Sequence, residues 1–348
     1  VLADLIYSAP ETKPTWGQRE ITASHSYSGQ VPAMDGPRYD ADPLNLFVVV
    51  ELGDHHATVL NGDSLQPVHR FQTHFAVHGG PKYSNDGRFV YFASRDGWIA
   101  KYDLWNLETV AEVRAGVNTR NLAVSDDDRY VMVANTLPNT LVLLKAEDLS
   151  LVQVIDIVGD GGKTSRASAV YTAAPRESFV IALKDIPEVW EIQYGDDPQP
   201  VYNGIMHDYR LQEGLAKQSG PFPVRRIRLE DHLDDFFFSQ DYRLLFGASR
   251  SAGNGQVIQM DVGLKIADIP LSGLPHLGSG ITWEWQGREI LATPHLGTGE
   301  VSIIDLESFD VLKRISTAGP GFFMRSHENS RYAWVDVFFG PNHDQIHV

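Results

Sequence analysis

The stretches Ser84-Asn85-Asp86-Gly87-Arg88-Phe89-Val90-Tyr91-Phe92 and Ser125-Asp126-Asp127-Asp128-Arg129-Tyr130-Val131-Met132-Val133 decide the fold. Each is a polar turn that ends in Arg and runs straight into β-branched and aromatic residues. Polar turn residues close one strand, and such runs favour the next. The theme returns at residues 239–246, 285–291 and 328–335, and more weakly at 174–180. Matching arginines lie 41 residues apart from Arg88 to Arg129, 45 from Arg243 to Arg288 and 43 from Arg288 to Arg331. A second strand pair follows the first in each copy. Examples are Trp98-Ile99-Ala100-Lys101-Tyr102-Asp103 with Thr109-Val110-Ala111-Glu112-Val113, and Val301-Ser302-Ile303-Ile304-Asp305 with Val311-Leu312-Lys313-Arg314-Ile315. Four short strands per repeat of this length make a propeller blade. No segment holds a helical apolar face over three turns, so the chain is read as all-β.

Working outward, residues 1–44 carry Pro10, Pro14, Pro32, Pro37 and Pro43 and read as an N-terminal arm. Residues 45–348 read as one propeller domain, with a longer insertion near 194–222. About six full blades and the start of another can be counted. The chain stops at Ile346-His347-Val348, inside what reads as a strand, so the last blade reads as incomplete. An open blade exposes a sheet edge, and closing strands are expected from elsewhere.

Composition narrows the function. The chain has 348 residues, 43% of them hydrophobic, enough for a large core. Its formal net charge is −16, with 45 acidic and 29 basic residues, which argues against a nucleic-acid partner. No apolar run is long enough to span a membrane. There is no cysteine, so disulfides, thiolate catalysis and covalent c-type haem attachment are excluded within the chain. The opening Val1-Leu2-Ala3 shows no charged n-region of a secretory leader. The Asp-rich runs lack calcium-loop spacing, and residues 159–164 lack P-loop spacing.

Histidine is the remaining candidate chemistry. His78, in Phe75-Ala76-Val77-His78-Gly79-Gly80-Pro81, follows a short apolar run and precedes two glycines. It can either face an open space and ligate a haem iron or bond within its own blade. His276 and His295 stand in two Pro-His-Leu-Gly segments, beside glycines that let a ligand approach. They suit proton transfer, or they simply cap turns. His232 lies among carboxylates in Glu230-Asp231-His232-Leu233-Asp234-Asp235, and His25 lies in the arm. Arg95, Arg120, Lys82 and Arg166 fall near strand ends of early blades. Grouped around one cavity they would bind a polycarboxylate; scattered, they are surface charge.

The motifs Phe75-Ala76-Val77-His78, Ser94-Arg95-Asp96-Gly97, Tyr102-Asp103-Leu104-Trp105, Pro275-His276-Leu277-Gly278, Ala292-Thr293-Pro294-His295 and Arg325-Ser326-His327-Glu328 resemble the haem d1-binding domain of the cytochrome nitrite reductase superfamily. Within it the chain is most similar to the NirN-like dihydro-haem d1 dehydrogenases, on Asp103-Leu104-Trp105, Leu183-Lys184-Asp185-Ile186 and Val335-Asp336-Val337-Phe338-Phe339-Gly340-Pro341-Asn342. The resemblance implies an eight-bladed propeller with the tetrapyrrole in its central funnel. It implies His78 as the proximal iron ligand, His232 and His276 at the distal histidine positions, and His295 near the macrocycle edge. Arg95, Arg120, Lys82 and Arg166 would hold the carboxylates, and His25 would be a second axial ligand. The implied reaction oxidises a propionate of dihydro-haem d1 to an acrylate, with His295, His276 or His232 handling protons. The alternatives are a haem d1-dependent nitrite reductase domain and a non-catalytic haem d1 carrier. Expected partners are a c-type cytochrome acceptor, with haem c on a domain absent from this chain, and other haem d1 biosynthesis proteins or the nitrite reductase. The implied compartment is the periplasm.

Overall fold

The computed structural model describes residues 15–29, 36–206, 214–218, 220–248, 253–271 and 273–348. Its strands form seven antiparallel blade sheets in chain order. The first blade is Leu46–Glu51, His56–Asn61 and Pro67–Gln72; the second is Lys82–Tyr83, Phe89–Ala93, Trp98–Asp103 and Glu108–Arg114. The third runs from Asn118–Val124 to Leu151–Asp156, the fifth from Asp235–Phe238 to Leu264–Ile269, and the sixth from Ile281–Trp285 to Val311–Ser316. The fourth begins at Ala167–Ala173 and closes with Val224–Arg228. Before that last strand the expected insertion forms the hairpin Tyr202–Met206 with Gly214–Lys217. The seventh is Met324–Ser326, Ala333–Asp336 and Ile346–His347.

The repeated sequence becomes a repeated hydrogen-bond pattern. Phe89 N–H donates to Ser84 Oγ at 2.9 Å, Tyr130 N–H to Ser125 Oγ at 2.9 Å and Leu244 N–H to Ser239 Oγ at 3.0 Å. The serine hydroxyl donates in turn to Asp86, Asp127 or Asp241. Each turn thus satisfies its own backbone while reversing the chain. In two copies the Arg that ends the turn meets the Asp that closes the third strand: Arg88 reaches Asp103 at 2.8 Å and Arg288 reaches Asp305 at 3.0 Å. Arg243 instead reaches Asp261, two residues beyond the strand Gly255–Gln259, at 3.1 Å. Asp103 also accepts from the Trp105 and Asn106 amides, and Asp305 from those of Glu307 and Ser308, holding the turn to the outer strand.

Six apolar clusters each join one blade to the next, from the first pair (Val59, Val90, Phe92) to the last (Ala292, Met324, Val335). A blade buries both faces this way, which explains its nearly continuous apolar strands. The sequence reading expected eight blades, whereas seven sheets are present among the described residues. The difference lies at the flanks. The first sheet passes directly from its outermost strand, Pro67–Gln72, into the second blade, so its three strands occupy the second to fourth positions. The seventh sheet has strands in only the first three.

The arm differs from expectation too. The helix Gln18–Ser24 drops Ile21 between the second and third blades, and Trp16 Nε1 donates to the Arg114 carbonyl at 2.8 Å. Ser26–Tyr27 then adds a fifth strand to the outer edge of the second blade. Residues 15–29 therefore grip the rim and do not cover the funnel.

Candidate functional site

The innermost strands surround a central throat of about 380 Å³. Lys82 and Tyr83 line it from the second blade, Tyr171 from the fourth, Phe236 and Phe238 from the fifth. Tyr171 and Phe236 meet edge to face at 4.9 Å, and burial pushes the Tyr171 hydroxyl's pKa well above its ordinary value. The wall is aromatic, with the polar groups gathered at one end, where the innermost strands begin.

His78 sits at that end. Its amide donates to the Ala93 carbonyl at 2.8 Å, and the next residue, Gly79, has φ +87° with no room for a Cβ against Asn121. Its ring Nδ1 lies 2.6 Å from the Arg120 carbonyl, and Arg120 Nη1 lies 2.9 Å from Nε2. A carbonyl only accepts, so Nδ1 carries the proton and Nε2 keeps its lone pair. Burial, with Arg120 and Arg95 nearby, lowers the His78 pKa to about 4. A neutral imidazole with a fixed tautomer and a basic Nε2 is the form that binds a metal.

The cations around His78 are uncompensated. Most arginines of this acidic protein are tied to carboxylates: Arg70, Arg88, Arg129, Arg176, Arg225, Arg226, Arg243, Arg288 and Arg314 all are. Lys82, Arg95, Arg120 and Arg325 have no carboxylate at ion-pair distance among the described residues. Arg120 Nε donates to the Ser168 carbonyl at 2.6 Å, Arg325 Nη1 to the Met324 carbonyl at 2.7 Å and Lys82 to the Gly79 carbonyl at 3.3 Å. Burial lowers the pKa values of Lys82 and Arg95, and the neighbouring charges of Arg325 and Arg120 respectively add to it. Positive groups held together against their own repulsion form a receptor for an anion.

His276 stands on the segment that leads into the sixth blade. Its Nδ1 is 2.5 Å from the Phe322 carbonyl, its Nε2 is 3.5 Å from Asp235 Oδ2, and its ring lies 4.4 Å from that of Phe322. Phe323, Phe338 and Phe339 extend this aromatic edge, each about half exposed. Asp235 accepts from the Gly278 amide at 2.6 Å, and a Cβ on Gly278 would collide with its carboxylate. Burial raises the Asp235 pKa, against the pull of His276.

Four expected residues stand elsewhere. His25 is at the outer rim, its Nε2 2.7 Å from the Asp148 carbonyl, because the arm pairs with an outermost strand. Arg166 is spent on an exposed ion pair with Asp185 at 2.7 Å. His232 is exposed on the segment leading to the fifth blade, and the carboxyl facing His276 is that of Asp235, three residues further on. His295 has no exposed surface and shares Nε2 with Ser302 Oγ at 2.8 Å. It lies behind His276, bridged to Pro275, while the His276 amide donates to the Pro294 carbonyl at 2.9 Å. Arg325, Tyr171 and Asp235 were missed as site residues. A signal for Arg325 existed: it precedes Arg331 by six residues, as Lys82 precedes Arg88, so both occupy one register of an innermost strand.

With this geometry in place, residues 41–348 match the family model described as "Cytochrome D1 heme domain". The chain belongs to that family. It is 54% identical over 346 residues to the dihydro-heme d1 dehydrogenase of Pseudomonas aeruginosa, covering 99% of this chain and 66% of that protein. It is 25% identical to the nitrite reductase of Stutzerimonas stutzeri, over 99% of this chain and 62% of that one. A solved structure of dihydro-heme d1 dehydrogenase NirN in complex with DHE superposes with a TM-score of 0.88 at 53% identity, covering 99% of this chain and 70% of that one. The chain thus spans about two thirds of the length of the relatives it matches. Among the described residues no helix is long and apolar enough to cross a membrane, and no three His, Asp or Glu side chains converge on a metal site. A cytochrome D1 heme domain needs no such cluster, since a tetrapyrrole supplies its iron with ring ligands and asks the protein for an axial one.

Proposed function

We propose that this chain is the substrate-binding and catalytic propeller of a dihydro-haem d1 dehydrogenase. One observation carries the reading: a neutral, tautomerically fixed His78 is flanked by Arg95 and Arg120, with Lys82 and Arg325, likewise without carboxylate partners among the described residues, beside one another at an aromatic throat. That combination fits a flat apolar macrocycle with an iron at its centre and several carboxylates at its edge. In this reading His78 Nε2 is the axial ligand, and Arg120 leaves it to join Lys82, Arg95 and Arg325 on the carboxylates. Phe322 and its neighbours exclude water from the opposite edge.

Dehydrogenation of the substrate's propionate turns –CH2–CH2– into –CH=CH– and releases two protons and two electrons. His276 is placed to take a proton. The electrons leave through the substrate's conjugated ring to an external acceptor, which we take to be the haem c of a c-type cytochrome in the periplasm. His295 acts as a positioning residue behind His276, and His232 stands on the solvent side of the segment that leads to Asp235. The eight-blade expectation is part of this proposal. Among the described residues, the inner edge of Leu46–Glu51 and the outer edge of Ile346–His347 are where one further blade would complete the ring.

The nitrite reductase reading has less support, because His232 is not the group that faces His276. The test is an anaerobic titration with dihydro-haem d1, followed optically, with oxidised c-type cytochrome added. Wild type should bind and convert; His78→Ala should lose the axial-ligand signature. Binding by wild type without conversion, with acceptor present, would replace this reading with that of a carrier.

A further inference from the structure

The two ring nitrogens of His276 each face an oxygen, a carbonyl on one side and a carboxylate on the other. Its Nδ1 lies 2.5 Å from the Phe322 carbonyl, which can only accept, so Nδ1 is protonated. Its Nε2 then faces Asp235 Oδ2 at 3.5 Å. Without a proton between them, two lone-pair-bearing atoms would stand 3.5 Å apart on side chains only 18% and 14% exposed, and would repel. A proton belongs between them, on the imidazole or on the carboxyl.

We propose that Asp235 and His276 share one proton between Oδ2 and Nε2, and that the pair, not the imidazole alone, is the proton-handling unit of the funnel. The inference deepens the proposed dehydrogenase reading and rests on it only for the chemical use of the proton. The pair first releases its shared proton to solvent. It then takes one proton from a propionate carbon as that carbon–hydrogen bond breaks, which restores the shared state; two electrons pass through the substrate to the external acceptor, and the neighbouring carbon gives its proton to solvent as that carbon–hydrogen electron pair closes the carbon–carbon double bond. Asp235 is the positioning residue: accepting from Gly278 N–H at 2.6 Å, it is held where it dictates which imidazole nitrogen exchanges protons.

The charged and titratable groups facing the pair come from several blades. Arg120 of the third blade favours the ionised carboxylate of Asp235, while Tyr171 of the fourth lies close enough to feel it. Arg325 of the seventh acts on Tyr171. Asp234, next in sequence, is engaged with Lys184 of the fourth blade at 3.5 Å. Burial of Asp235 opposes its ionisation and so retains the proton in the pair.

The experiment follows the ring nitrogens of 15N-histidine-labelled, ligand-free protein by NMR from mildly acid to mildly alkaline pH. His276→Gln identifies the signal, and Asp235→Asn is compared with wild type. The expected result is a His276 ring protonated at Nδ1 throughout, with a proton affinity that drops about tenfold or more in Asp235→Asn. The other histidine signals, unchanged in the variant, report that it is folded; should Asp235→Asn not fold, Asp235→Glu is used and should move the same titration. An unchanged or increased His276 proton affinity in a folded variant overturns the pairing, as does a ring protonated at Nε2 alone. Because no substrate is present, failure of conversion would overturn the dehydrogenase reading and leave this result standing.

Discussion

At the scale of single residues, the funnel is defined by what its charges lack. Cations held together without carboxylate partners repel one another in a ligand-free protein and are relieved when an anion arrives. Arg325→Ala should therefore weaken binding of dihydro-haem d1 by about tenfold or more, the size of one charge-assisted hydrogen bond. Added salt should weaken wild type more than the variant; the checking measurement is the optical titration at two ionic strengths. Arg166→Ala, which removes an exposed ion pair with Asp185, should leave the affinity unchanged in the same assay. The histidines show where residue-level reading stops. His78 was legible because its glycine context admits an open ring. His295 carries nearly the same Pro-His-Leu-Gly context as His276 but turns into the core, and nothing in the local sequence separates the two.

At the scale of the blade, the repeated Arg and Asp mark an ion pair whose value depends on burial. Asp103 is fully buried and Arg88 is 15% exposed, whereas Arg243 and Asp261 are 63% and 45% exposed. Removing one partner of the buried pair leaves a charge without compensation, so Asp103→Ala should destabilise the protein by about 3 kcal/mol. Removing the partner of the exposed pair should cost about 1 kcal/mol or less. Urea unfolding of Asp103→Ala and Arg243→Ala compares them directly. The serine turn and the four-strand unit could be read in advance, because each is closed within one repeat of the chain. The count of blades could not, because it depends on how the flanking sheets are completed.

At the scale of the whole molecule, the ring brings together groups from distant sequence. His78 and Arg120 come from neighbouring blades, while Asp235, His276 and Arg325 begin the fifth, sixth and seventh. The arm is held at the opposite radius, at the outer edge of the second blade. His25→Ala should therefore leave the optical spectrum of bound dihydro-haem d1 unaltered. Trp16→Ala should lower the melting temperature without changing the affinity, since it removes packing at the rim only. An altered axial-ligand signature in His25→Ala would instead show that the arm reaches the funnel when the tetrapyrrole is bound.

The amino-acid sequence by itself determined the blade, its period and its turn chemistry, because short-range hydrogen bonding and strand-forming runs are local properties; the class of ligand came from its resemblance to a known family. It also marked His78, Lys82, Arg95 and Arg120. Only the tertiary structure decided which charges are left unpaired, that Arg166 is paired with Asp185 and His25 stands at the outer rim, and that Asp235 rather than His232 stands against His276. Those outcomes depend on which side chains meet across blades. Burial and pairing across such distances are set by the closure of the ring, and no local pattern encodes them.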